Sequence, residues 1–208
     1  MKKIILITGG QRSGKSTKAE ELALSLSHHP VYLATAHVWD DEFRERVKKH
    51  QERRGPEWTN IEEEIQLSKH DLTGRVVVID CVTLWLTNWI TPPQAPPLKG
   101  AGKTREKDNP LKGAGNREGA ELPSSGEEGP GVEAIDSILT AAKKEFDTFT
   151  AHDATYIFVT NEIGLGGVST NALQRKFTDL QGWMNQYIAQ KADEVILMVS
   201  GIPVNIKH

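Results

Sequence analysis

The sequence contains a single cysteine, Cys81, among 208 residues. No intramolecular disulfide can form, and a reducing compartment is expected. A basic excess is also missing: 28 acidic residues outnumber 25 Lys and Arg, for a formal net charge of -3. Proteins that live on nucleic-acid phosphates carry the opposite balance, so a nucleic-acid partner is not expected. Long hydrophobic runs are absent as well. The apolar stretch from Ile4 to Ile7 is far too short for a signal core or a membrane span, and it runs straight into glycines. These absences read as a cytoplasmic protein with no membrane span. A hydrophobic content of 38% over this length suits one mid-sized domain, residues 1–208, with a real core.

What is present is a series of short apolar runs. Lys3 to Thr8, Val31 to Ala34, Val76 to Ile79, Tyr156 to Val159 and Val195 to Val199 are each apolar at successive positions. Strands that are apolar on both faces belong to a parallel sheet covered by helices on each side. Helical spacing lies between them, as at Phe43, Val47 and His50, and again at Leu173, Phe177, Leu180, Met184 and Tyr187. Alternating strands and helices predict an α/β fold with a mostly parallel central sheet. Residues 202–206 can add a last edge strand, where Pro203 is tolerated. The segment 92–131 breaks the pattern. Fifteen of its forty residues are Pro or Gly, and it has no aromatic residue, Val or Ile. Such a stretch buries too little apolar area to offset its ordering entropy, so a flexible insertion between two helices is expected there.

Gly9, Gly10, Gln11, Arg12, Ser13, Gly14, Lys15 and Ser16 satisfy the pattern G-x-x-x-x-G-K-[ST], between an expected strand and an expected helix. Glycines let the backbone curl until successive N–H groups point at phosphate oxygens, and the following helix adds its positive end. Lys15 should reach the β- and γ-phosphates, and the Ser16 hydroxyl should ligate Mg²⁺. A second metal-holding group is expected at the end of a neighbouring strand, and Asp80 after Val76 to Ile79 supplies it. Gly102-Lys103-Thr104 mimics the motif, but Pro97 stands where its first glycine is required, and no apolar strand precedes it.

The remaining motifs narrow the chemistry. Thr8 to Ser16, Tyr32 to Thr35, Asp40 to Glu42 with Arg46 and His50, Asp80 to Asn88, Thr160 to Gly164, Asn185-Gln186 and Ala192 to Val195 occur in this order. Together they closely resemble the bifunctional adenosylcobinamide kinase/adenosylcobinamide-phosphate guanylyltransferases, over nearly all of the chain except 92–131. The resemblance implies a RecA-like P-loop fold and two reactions of cobalamin biosynthesis. In the first, ATP or GTP phosphorylates the aminopropanol hydroxyl of adenosylcobinamide. In the second, GMP passes from GTP onto that phosphate through a covalent histidine intermediate. It also implies that the histidine is His50, and that nucleotide contacts fall on Gly9 to Ser16, Ala34, Thr35, Ala36, Gln51, Glu52, Arg53, Arg54, Glu62 and Leu84. Family members commonly form trimers, so a homo-oligomer is implied as well. Two positions depart from the family pattern: Ser169 replaces a proline and Thr178 an arginine.

From spacing alone, His50 reads as a boundary residue on the face of Phe43 and Val47, and its nucleophile role rests on the resemblance. A neutral imidazole, with an ordinary pKa near 6.5, can attack phosphorus at cytoplasmic pH. Two other readings stay open at this level. One is a small-molecule P-loop kinase without guanylyl transfer. The other is a nucleotide-dependent switch protein in which Asn161 and Glu162 sense the nucleotide.

Overall fold

The structure, a computed structural model, describes residues 1–37, 45, 52, 54–90 and 132–208. Residues Met1–Pro93 and Gly129–His208 belong to one compact unit. The expected insertion at 92–131 lies outside the described residues, as does most of the expected helix beginning at Asp40.

Seven strands form one sheet: β1 (Lys3–Gly9), β2 (Val31–Ala34), β3 (Thr59–Glu62), β4 (Val76–Asp80), β5 (Thr155–Val159), β6 (Glu194–Val199) and β7 (Ile202–Lys207). Their spatial order is β3-β2-β4-β5-β1-β6-β7. The first six run parallel, and β7 returns antiparallel beside β6. Helices α1 (Lys15–Leu26), α2 (Val82–Ile90), α3 (Val132–Phe149) and α4 (Ala172–Lys191) accompany them. This is the mostly parallel α/β architecture expected from the sequence, including the edge strand that contains Pro203.

The reason for the unbroken apolar strands is visible in how each one divides its side chains. Ile4 and Leu6 join a buried cluster with Val77, Ile79, Tyr156 and Phe158, packed against Trp85 and Leu86 of α2, Phe146 of α3 and Met184 of α4. Their neighbours Ile5 and Ile7 point the other way, to Val76, Val78, Ile157, Val159 and Ile196, under Ala19 and Ala23 of α1. The period-2 alternation of a strand thus feeds two cores, each closed by helices. The small Ala19 and Ala23, both fully buried, let α1 lie close on the sheet.

β3 was not foreseen. Its sequence, Thr-Asn-Ile-Glu, has one apolar residue, and its burial alternates almost entirely exposed. As an edge strand it is held by main-chain pairing to β2, from Val31↔Thr59 to Ala34↔Glu62, rather than by two covered faces. Ligands of open parallel sheets bind beyond the carboxyl ends of the strands. Here those ends carry Gly9, Ala34, Glu62, Asp80 and Val159.

Candidate active site

β1 sits between β5 and β6 and delivers its carboxyl end into the loop from Gly9 to Gly14. The loop is held to a shape that only glycine accepts at its first position. Gly9 has φ +148°, and a Cβ there would stand 2.5 Å from the main-chain oxygen of Met198 on β6. Gly14 closes the loop with φ +94° and caps α1. Ser13 donates its N–H to the Gly10 carbonyl at 3.3 Å, while its own carbonyl accepts from Gly201 N–H at 3.0 Å. The β6–β7 turn therefore clasps the loop from behind. The Ser13 hydroxyl is buried and has no hydrogen-bond partner among the described residues, so the loop contains a polar group left for a ligand.

Lys15 is buried, 7% exposed, and folds back so that Nζ donates to the Gly10 carbonyl at 2.6 Å. Burial draws its pKa below the ordinary lysine value, and the fields of Cys81, Asp80 and Glu162 oppose that shift. The charges of Asp80 and Glu162 thus converge on the lysine of the loop. Asp80 ends β4 and receives a hydrogen bond at Oδ2 from the Tyr32 hydroxyl at 2.7 Å. Next to it, burial pushes the Cys81 thiol up to about 12, which removes this cysteine as a nucleophile at neutral pH.

The other positions implied by the resemblance divide into three groups. Ala34, Thr35 and Ala36 leave β2 at the same edge of the sheet as the loop, and Glu62 ends β3 there. The Thr35 side chain is fully buried and donates to the Cys81 carbonyl at 2.8 Å, while its own carbonyl accepts from Asn88 at 2.7 Å. Its N–H also donates to the Asp80 carbonyl at 3.1 Å, so the polar groups of Thr35 are engaged within the protein. Leu84, in the first turn of α2, is partly buried against the core that contains Cys81. Arg54 is placed differently from a simple phosphate contact. Its guanidinium stacks on the Tyr32 ring, 3.6 Å from the centroid, and Nε donates to Asn60 at 2.9 Å. Its Nη1 lies 3.6 Å from Glu20 Oε1 of α1. Glu52 is helical and exposed, whereas His50, Gln51 and Arg53 lie outside the described residues.

Sequence reasoning gave no catalytic role to one cluster that the structure assembles beside the loop. Glu162 follows β5, and its N–H donates to the Gly9 carbonyl at 3.1 Å. Its Oε1 accepts from Thr8 Oγ1 at 2.5 Å and from Asn185 Nδ2 at 3.1 Å. Behind it, Thr160, Gln181 and Asn185 are buried and share hydrogen bonds of 2.7 to 3.2 Å. A run of polar residues directly after an apolar strand was the available signal.

The described residues contain no group of three or more His, Cys, Asp or Glu side chains able to hold a metal ion by themselves. A donor set of one hydroxyl, Ser16, and one carboxylate, Asp80, fits Mg²⁺, which keeps water and phosphate oxygens in its shell.

A phosphate loop between the central strand and its helix, with a buried lysine and two strand-end carboxylates around it, defines a P-loop nucleotide-binding protein. Comparisons with known proteins specify which one. The family model described as cobinamide kinase / cobinamide phosphate guanyltransferase matches residues 5–206, and the chain belongs to that family. The bifunctional adenosylcobalamin biosynthesis protein CobP of Pseudomonas aeruginosa is 34% identical over 206 residues, covering 97% of this chain and 96% of the relative. CobU of Escherichia coli is 33% identical over 208 residues, covering 98% and 99%. Among solved structures, the flagellar accessory protein FlaH of Methanocaldococcus jannaschii aligns at a TM-score of 0.40 and 13% identity, covering 99% of this chain and 78% of FlaH.

Proposed function

We infer that this chain phosphorylates adenosylcobinamide, using ATP or GTP, and then transfers GMP from GTP to adenosylcobinamide phosphate to give adenosylcobinamide-GDP. The observation that carries the reading is the loop itself: Lys15 buried at the carboxyl end of β1 and sensing both Asp80 and Glu162, in a chain matched to the family over residues 5–206. Membership in a family whose description carries both activities separates this reading from a kinase without guanylyl transfer and from a switch protein.

In both reactions the loop amides and Lys15 hold nucleotide phosphates. For the kinase step, Lys15 exchanges the Gly10 carbonyl for phosphate oxygens and steadies the phosphoryl group in transit. For guanylyl transfer, the same loop grips the departing pyrophosphate. Ser16 and Asp80 would hold Mg²⁺, whose contribution when bound is to neutralise charge on the phosphate oxygens. The imidazole of His50 attacks the α-phosphorus, pyrophosphate leaves, and the cobinamide phosphate then displaces the histidine. We place the enzyme in the cytoplasm and, from the family resemblance, in a homotrimer.

The test is to incubate the protein with α-labelled GTP, denature it, and follow the label. Covalent, acid-labile and alkali-stable label is expected, with His50→Ala unlabelled but still transferring phosphate from γ-labelled nucleotide to cobinamide. Unlabelled wild-type protein sinks the guanylyltransferase reading, and full labelling of His50→Ala excludes that histidine.

A further inference from the structure

The buried polar cluster behind β5 has no part in holding the nucleotide, yet it is built around a carboxylate at the edge of the phosphate loop. Glu162 is fixed from three directions. Its main chain is tied to Gly9 at 3.1 Å. Its Oε1 is taken by Thr8 at 2.5 Å and by Asn185 at 3.1 Å. Asn185 is itself locked, accepting from Thr160 Oγ1 at 2.7 Å and donating to the Asn161 carbonyl at 3.1 Å. Asn161 in turn reaches Thr83 of α2 at 3.1 Å. The donors all converge on one oxygen. The other, Oε2, is hydrogen-bonded to no described residue.

What the arrangement does is aim a free carboxylate oxygen while its partner oxygen is held still. Three elements set the direction: the end of β1 through Thr8, α4 through Asn185, and the strand β5 that Glu162 follows. Glu162 stands at the edge of the phosphate loop, where its N–H is bonded to the Gly9 carbonyl at 3.1 Å and its charge is felt at Lys15. The approach is open on the far side. Immediately after Glu162 the chain turns through a short 3-10 segment, Ile163–Gly166, and Leu165 and Val168 are 79% and 89% exposed. A bulky acceptor can therefore come up to this edge without displacing core residues.

We propose that Glu162 is the proton acceptor of the kinase reaction: its Oε2 receives the proton of the acceptor's hydroxyl as that oxygen attacks the γ-phosphorus. The inference rests on the kinase half of the function proposed above. In the step, the hydroxyl oxygen bonds to the γ-phosphorus, and the bond between that phosphorus and the β,γ-bridging oxygen breaks. The bonding pair leaves with the nucleoside diphosphate, and the proton passes to Glu162 and then to solvent. Asp80 is assigned above to Mg²⁺, which sets it apart from this task, and its Oδ2 is held by Tyr32. Guanylyl transfer starts from a phosphate that carries no such proton and has no need of Glu162.

Glu162→Gln preserves the shape and keeps an oxygen for Thr8 and Asn185 but cannot take a proton. Three measurements on the full chain decide the matter: kcat for phosphate transfer to cobinamide, Kd for GTP, and covalent labelling by α-labelled GTP. Loss of a positioned base costs about 10² to 10⁴-fold, so the kinase kcat should fall by at least about 100-fold, with Kd and labelling within about threefold of wild type. Kinase activity retained within about fivefold overturns the proposal. Parallel loss of all three makes Glu162 a structural clamp and overturns it equally. If the wild-type protein itself transfers no phosphate to cobinamide, the kinase reading fails first, and this inference falls with it.

Discussion

Replacing Gly9 with alanine tests whether the phosphate loop is braced by the sheet as described. The added Cβ would lie 2.5 Å from the Met198 carbonyl oxygen and 2.9 Å from Ser13 Oγ. The serine hydroxyl can rotate away, but the carbonyl cannot, because Met198 is paired in β6 opposite Gly9. Relief requires β1 or β6 to move by about half an ångström, and a packed sheet resists this at about 1 to 3 kcal/mol. Holding alanine at φ +148° adds a further cost of about 1 to 3 kcal/mol. The sum is about 2 to 6 kcal/mol, and in a chain of this size each kcal/mol lowers Tm by about 2 to 4 °C. The melting temperature should therefore fall by about 4 to 24 °C, with weakened nucleotide binding. Gly10→Ala is the matched control. Nothing lies within 4 Å of its Cβ position, so its effect should stay within about 0.5 kcal/mol. Differential scanning calorimetry of the two variants beside wild type gives the answer. A Gly9→Ala protein that melts within about 2 °C of wild type, or a Gly10→Ala protein that falls as far, would refute the packing argument.

Lys15→Ala should abolish both phosphate transfer and covalent labelling, since one lysine serves both reactions; near-wild-type activity in either assay would show a second phosphate-binding site. Burial pushes the Glu63 carboxyl up. Hydrogen bonds from Lys69 and from the amides of Ile65 and Gln66, with the Lys69 charge, outweigh this and hold it below the ordinary value. A folded pKa below the unfolded one contributes stability that is present above the unfolded value and is lost as pH falls through the folded one. Glu63→Gln should cost about 1 to 3 kcal/mol at pH 7, and urea titrations should show the gap from wild type shrinking below about pH 4. A gap that does not change between pH 7 and pH 3.5 would show that the carboxylate charge contributes nothing.

Much of this was legible in the sequence because doubly covered strands leave an unmistakable mark. β1, β4 and β5 are apolar at nearly every position since both faces are buried, and the glycine loop follows the first of them. β3 escaped because an edge strand with one useful apolar side chain, Ile61, is held by main-chain bonds that no side-chain pattern records. The site divides in the same way. Lys15 and Ser16 belong to one motif in which sequence spacing fixes geometry, and Asp80 is marked by the apolar strand that it ends. The tethers on Glu162 come from Thr8 and Asn185, 154 and 23 residues away, and only folding brings them together. The surroundings of Arg54 are likewise set by folding. A nucleotide contact was implied at this position, and the structure gives its guanidinium an aromatic face and an acidic neighbour within the protein.

The position of β1 also governs when the nucleotide cradle can exist during synthesis. The loop is encoded in residues 9–16, among the earliest of this sequence to leave a ribosome. Yet β1 pairs with Thr155 to Val159 on one side and Glu194 to Met198 on the other. The brace behind Ser13 comes from Gly201. A nascent chain of 150 residues would hold the whole phosphate motif with neither neighbour of its strand available. Contacts of such long sequence separation are slow to close, and the cradle as described cannot be complete before residue 201 has been made. A motif contained in residues 9–16 thus waits for strand partners and a brace that are translated about 140 to 190 residues after it.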